Sequence, residues 1–183
     1  MNSRKITLQF AVITALVLML AFSRLLPHPF NFSPVAALAL FGGARYKSRF
    51  TAYLIPITAV WISDLFLNYT FFGRLVVFYD GAFFTYLAFA LIVVLGSFAL
   101  RKFSAGRLLI ASLSASVIFF LVSNFGVWLY GGLYPPTGGG LAACYAAAIP
   151  FFRNTLAGDL VYGFAIFYLY ELAASRIPAL KTA

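Results

Sequence analysis

Residues 24–46 read RLLPHPFNFSPVAALALFGGARY. Three prolines, the only histidine of the chain and an asparagine stand between two apolar runs. The second run, from Pro34 to Tyr46, reaches only about 20 Å as a helix. A membrane span needs about 20 apolar residues, so this run is too short to cross unaided. Ser33 suits an N-cap and Pro34 a first helical position, which predicts a helix starting there. If Arg45, Lys47 and Arg49 hold the far end of that helix at one interface, its near end stops inside the hydrocarbon layer. HPFNF then runs as irregular backbone at membrane depth. Such backbone is tolerated only when it is buried in protein or lines a watery cavity. Short, proline-interrupted segments of this kind point to a transporter binding site. A plain external loop ahead of a displaced helix is the alternative.

Working outward, five segments are long enough to span: Ile6–Leu26, Phe50–Asn68, Leu75–Leu100, Leu108–Leu133 and Phe151–Ser175. Hydrophobic residues make up 63% of the 183 positions and charged residues only 9%, against roughly 25% charged in a soluble domain. The mean hydropathy is +0.97. The fold class is therefore an all-α integral membrane protein, one polytopic domain over residues 1–183. Arg4 and Lys5, the apolar run and the small residues Ala21 and Ser23 imitate a signal peptide. That run exceeds a usual signal core and the rest of the chain is equally apolar, so it is read as a retained span.

The net charge of +9 invites a nucleic-acid reading. The basic residues instead sit in short clusters between apolar runs, a topology signal, and no nucleic-acid partner is expected. Counting Pro34–Tyr46 as a crossing sorts them cleanly. Arg4, Lys5, Arg45, Lys47, Arg49, Arg101, Lys102, Arg107, Arg176 and Lys181 fall on one side, and Arg24, Arg74 and Arg153 on the other. This predicts six membrane crossings with both termini cytoplasmic. A second interruption, GGLYPPTGGG at 131–140, reads as an external connection. The Ala-rich stretch after it, LAACYAAAI, predicts a short extra helix stopped by Pro150. The architecture is thus a six-helix bundle with a short broken second helix and a short extra helix before the last span.

Polar groups inside a bilayer are expensive, so those retained face a bundle interior or cavity. Asp64 is placed roughly 20 Å along its span from Thr51, Asn124 roughly 24 Å from Leu108, and Asp159 roughly 9 Å from Arg153. All three fall in the outer half with His28 and Asn31. Trp61, Asp64 and Asn68 share a helical stripe, Asn124 and Trp128 another, and Thr155, Asp159 and Tyr162 a third. Aromatic walls with a few fixed polar groups are the composition of ligand sites. The predicted substrate-binding set is His28, Asn31, Trp61, Asp64, Asn68, Asn124, Trp128, Arg153, Asn154 and Asp159. Asn124 read as a helix–helix hydrogen bond, Arg153 as a snorkelling interfacial residue and Cys144 as a packing residue are the plainer alternatives. Glu171, near Arg176, is read as solvating one end of its helix. No cofactor or metal is implied, since a lone cysteine supports neither a disulfide nor a cysteine-rich metal site.

The layout resembles the S components of energy-coupling-factor vitamin transporters, small six-helix proteins with cytoplasmic termini and an outward substrate site. The residues that carry the resemblance are the Ala11/Ala15 pair of the first helix, residues 26–46 and ITAVWISDLFL at 57–67. It implies a small-molecule substrate such as a vitamin or cofactor precursor. It also implies a transmembrane coupling subunit with ATPases, contacted through Ala11 and Ala15. The chain resembles more closely a family of small bacterial membrane proteins of unknown function. PHPFNFSPVAALALFGG, Ser63-Asp64, SNFGVW at 123–128 and CYAAAIPFFRNTLAGDLVYG at 144–163 carry that second resemblance. The expected function is uptake of a small molecule, without an enzymatic reaction. Its rivals are a structural or assembly membrane protein and an intramembrane protease using Asp64 and Asp159. In the latter, Leu156 replaces the first glycine of Gly-x-Gly-Asp. A Cys/Arg/His transpeptidase of the exosortase type, built from Cys144, Arg153 and His28, would have its histidine out of order.

Overall fold

The computed structural model describes residues 3–180, with side chains from Thr7 onward. The side chains of Arg4 and Lys5, and Lys181 altogether, lie outside the described residues. Six helices follow one another: α1 (Ser3–Ser23), α2 (Val35–Arg45), α3 (Arg49–Phe72), α4 (Ala82–Ala99), α5 (Ala105–Tyr130) and α6 (Gly138–Arg176). A 3₁₀ turn, Pro178–Leu180, follows α6, and no strand occurs among the described residues. Helices α3, α4, α5 and α6 are long and apolar enough to cross a membrane. This fits a multi-pass membrane protein. Residues 24–34, 73–81 and 131–137 gather at one end, here the proline end. Residues 46–48 and 100–104 mark the other, the basic end.

Helix starts are read by local chemistry. The hydroxyls of Ser48, Ser104 and Thr137 accept the amides of Thr51, Arg107 and Gly140 at 3.5, 3.3 and 3.1 Å, covering amides that lack an intrahelical partner. Helix α3 ends at Gly73, whose φ of 63° suits a left-handed C′ position.

The short helix α2 is the axis of the molecule. Ten of its eleven residues are buried, and it touches α1, α3, α4, α5 and α6. Its apolar composition all round is what a central helix requires. Its closest neighbour is α4. A Cβ on Gly43 would strike the Val93 carbonyl, and one on Gly96 the backbone of Leu40. Glycine is the residue that permits so close a backbone approach.

Three readings of the sequence are corrected here. First, Ser33 does not cap α2. Helix α2 begins at Val35 after Pro34 without a side-chain cap of its own, and the Ser33 hydroxyl is buried without a hydrogen-bond partner. Second, LAACYAAAI is not a separate helix: α6 runs unbroken through Pro150 for 39 residues. A proline removes one hydrogen bond and crowds the carbonyl four residues back. Helix α6 carries that cost at an exposed position among alanines.

Third, Arg45 does not merely mark an interface, nor does Glu171 merely solvate a helix end. Arg45 is buried, 5.2 Å from the ring centres of both Phe167 and Tyr170, and donates to the Glu171 carboxylate. An arginine at this depth needs such a partner. Phe41 packs edge-on against the same two rings, so the pair is embedded in the aromatic centre of the core.

Candidate functional site

The site is built around the point where α2 stops. Helix α2 leaves the space between its N-terminus and the proline end to residues 24–34. Leu26, His28 and Phe30 of this segment are exposed, while Phe32 and Ser33 are half-buried and Pro34 is buried. The segment therefore descends into the bundle only in its second half. Asn31 has φ of 61°, a left-handed conformation that asparagine tolerates better than most residues. The Asn154 amide donates to the Phe30 carbonyl at 2.9 Å. Gly158 gives the segment room, since a Cβ there would lie 2.8 Å from the Ser33 nitrogen.

Asp159, next to Gly158, performs the task predicted for Ser33. Its carboxylate accepts the Ser116 hydroxyl at 2.6 Å and faces the backbone amides of Ala36 and Ala37, in the first turn of α2. A carboxylate at a helix N-terminus is favoured by the unsatisfied amides and by the helix dipole. Asp159 is 1% exposed and, among the described residues, makes no salt bridge.

Asp64 is held differently. Arg24, just past α1, places Nη2 2.8 Å from one carboxylate oxygen. The Tyr86 hydroxyl of α4 donates to the other at 2.8 Å. Arg24 also donates to the Ser63 hydroxyl at 2.6 Å and the Val60 carbonyl at 3.4 Å. Both charges are largely desolvated, so each depends on the other.

Arg24, Asn31, Asp64 and Asp159 line one cavity of about 160 Å³, with Phe89 and Phe119 as apolar wall. Tyr79, Thr85 and Thr155 add hydroxyls. Burial pushes the Tyr79 hydroxyl pKa up, so this loop residue stays protonated and able to donate. A second space of about 260 Å³ shares Asn31, Tyr79, Thr85, Phe119 and Thr155 with the first and extends toward Asn124.

Of the predicted binding residues, Asn31, Asp64 and Asp159 line the first cavity, and Asn31 and Asn124 the adjoining one. His28 lies in a neighbouring groove, its ring nitrogens 2.9 and 3.1 Å from the Pro29 and Arg24 carbonyls. The remaining five line neither cavity. Trp61 stacks on Phe78 with its indole N–H buried and unpaired. Asn68 donates to the Val76 carbonyl and Trp128 to the Pro135 carbonyl, each at 3.0 Å, fixing the two connections. Arg153 is exposed, and Asn154 braces residue 30. Ala11 and Ala15 lie on an exposed face of α1. Cys144 is buried, with Sγ 3.5 Å from the Asn124 carbonyl. Arg24 is the main residue that sequence reasoning missed. Its signal was its position, directly before the proline-rich segment.

Residues 4–180 match the profile of a family of unknown function, DUF6580. The chain belongs to this family. The match covers nearly every described residue of the DUF6580 chain, including each side chain of the cavity. No curated protein and no solved structure matches the DUF6580 chain. The resemblance to S components gains no support from these comparisons.

Proposed function

We propose that this protein binds a small polar molecule in the cavity at the tip of α2 and serves in its uptake across a bacterial cytoplasmic membrane. The observation that carries the reading is the joint lining of one cavity by the Arg24–Asp64 pair and Asp159, with aromatic wall between them. Evolution tolerates desolvated charge in an apolar bundle where it does something, and binding a polar solute is the use that a cavity suggests. The positive-inside rule orients the molecule. With the paired Arg24 and Arg45 set aside, nine basic residues remain on the basic side against two on the other, so the basic end and both termini are cytoplasmic. The cavity then belongs to the external half. The sequence has no P-loop, so ATP-driven passage would require partner subunits. The rival protease reading needs two carboxylates sharing a proton. Each aspartate here has its own donors, which speaks for structured binding sites instead.

The test is mass spectrometry of small molecules released from the purified, detergent-solubilised protein. The Arg24→Met/Asp64→Leu and Thr155→Val variants are measured beside it. A stoichiometric non-lipid compound in the wild type, reduced in both variants while both remain folded, is the expected result. Release of lipid alone, from wild type and variants in equal amount, overturns the proposal.

A further inference from the structure

The charge around the two adjoining spaces at the tip of α2 names a class of ligand. The chain carries 13 basic residues and only four acidic ones. Three of the four acids border these spaces, Asp64 and Asp159 the first and Asp80 the second. Arg24 is the one basic residue in either lining. The fourth acid, Glu171, holds Arg45 at the basic end. A strongly basic protein thus surrounds its candidate binding space with net negative charge.

Arg24 is not free to meet an anion. Its Nη groups are spent on Asp64, the Ser63 hydroxyl and the Val60 carbonyl, so this pair is neutral as a unit. Asp159 has no such balance, since it forms no salt bridge among the described residues. An ionised carboxylate accepts about four hydrogen bonds. Ser116 supplies one and the amides of Ala36 and Ala37 face the group, which leaves room for a further donor. The Ser33 hydroxyl borders the same space, buried and without a partner. Phe119 borders both spaces and stacks with Phe89, ring centres 5.5 Å apart. Aromatic faces attract cations, most strongly where water is excluded. A bare metal ion would need several ligating side chains together, and no group of three occurs among the described residues.

We infer that the ligand of this cavity is a compact organic cation. It is a protonated amine whose ammonium lies beside Asp159 and the Ser33 hydroxyl, and whose body passes Phe119 toward Asn124. The inference rests on the binding reading above and names its substrate class.

The experiment is isothermal titration calorimetry of the full chain in detergent with three probes of similar shape: phenethylammonium, 2-phenylethanol and phenylacetate. A charge-assisted hydrogen bond is worth about tenfold in affinity. Phenethylammonium should bind more tightly than 2-phenylethanol by about that factor, and phenylacetate should bind most weakly. Thr155 borders both spaces and stands four residues before Asp159 on the same helical face. Its hydroxyl bonds the Phe151 carbonyl of its own helix, so replacing it leaves the start of α2 untouched. Thr155→Lys sets a fixed cation beside Asp159 and should abolish the preference for phenethylammonium. Thr155→Met, of similar length and uncharged, should keep it. Asp159→Asn, where it folds, should bind the cation and the alcohol alike. Binding of 2-phenylethanol or phenylacetate as tight as that of phenethylammonium overturns the charge assignment and leaves a binding cavity standing. A cation preference unchanged in Thr155→Lys would put that binding elsewhere on the chain and overturn it too. So would no binding by any of the three probes, and the uptake reading would then be decided by the compounds released from the purified protein.

Discussion

Asp159 on α6 faces the backbone amides of Ala36 and Ala37 in the first turn of α2, so the carboxylate of one helix caps the start of another across the bundle. A helix that starts inside an apolar bundle has no water for its first amides. Its own sequence offers Ser33, whose hydroxyl makes no hydrogen bond. The cap comes instead from more than 120 positions away in the chain, beside the glycine that lets the two backbones meet. The cap therefore ties the start of α2, the descent of residues 31–34 and one wall of the cavity into a single unit.

Removing that cap should be costly. Asp159→Ala leaves the Ser116 hydroxyl without its acceptor and the amides of Ala36 and Ala37 without the carboxylate that they face. Each buried unsatisfied group costs about 1–3 kcal/mol. We expect Asp159→Ala to lower thermal stability in detergent well beyond Ser116→Ala, which should cost about 1 kcal/mol. Asp159→Asn keeps an acceptor oxygen and should fall between the two. Equal melting of wild type and Asp159→Ala would show that the cap contributes nothing.

The Arg24–Asp64 pair makes a different prediction. Removing one member of a desolvated pair strands the other and costs about 3–5 kcal/mol, whereas replacing both with apolar residues of similar volume is often close to neutral. Arg24→Met and Asp64→Leu should each destabilise strongly. The double variant should be more stable than either single one. A double-variant cycle on denaturation midpoints measures this, and additive losses would contradict direct coupling.

The features legible in sequence were those that depend on local pattern. Apolar length marked the long helices, and the proline-rich stretch of 24–34 marked the interruption. What failed had a tertiary cause. Ser33 is a good cap in isolation, but the chain brings a carboxylate to the same amides. Arg45 counted as a surface charge because Glu171, its partner, is 126 positions away. Arg24 was assigned to topology for the same reason, since Asp64 lies 40 positions further on. Depth along the chain put Asp64, Asp159 and Asn31 in one half of the bundle, and the three line one cavity. It could not say that Trp61, Asn68 and Trp128 face connections rather than the cavity.

Close backbone approach gives a pair of opposite outcomes. Gly158→Ala would place a Cβ 2.8 Å from the Ser33 nitrogen. The segment must shift, at about 1–3 kcal/mol. Gly138 starts α6 with open space where a Cβ would go. Gly138→Ala should be neutral or stabilise by about 0.4–1 kcal/mol through the unfolded chain. Thermal melts of the two variants side by side check this, and equal shifts would show that Ser33 has room to spare.

Continuity of α6 is tested at Pro150. This proline is exposed within an unbroken helix, so Pro150→Ala restores a backbone donor. A proline costs about 3 kcal/mol relative to alanine in a helix interior. We expect Pro150→Ala to raise thermal stability. A fall in stability would mean that the proline sets a bend on which the packing of Tyr145 and Phe152 against Phe120 depends.

The orientation proposed from basic residues is tested by cysteine accessibility. Cys144 is buried, so Cys144→Ser gives a background with little structural disturbance. In it, His28→Cys reports on the proline end and Lys102→Cys on the basic end, both exposed positions. In intact cells, a membrane-impermeant maleimide should label position 28 at once. Position 102 should label only after the membrane is opened. The reverse pattern would invert the molecule. The cavity would then open toward the cytoplasm, and capture of a solute from outside would be impossible without a change of conformation. Labelling of both positions from outside would remove the membrane-spanning arrangement itself.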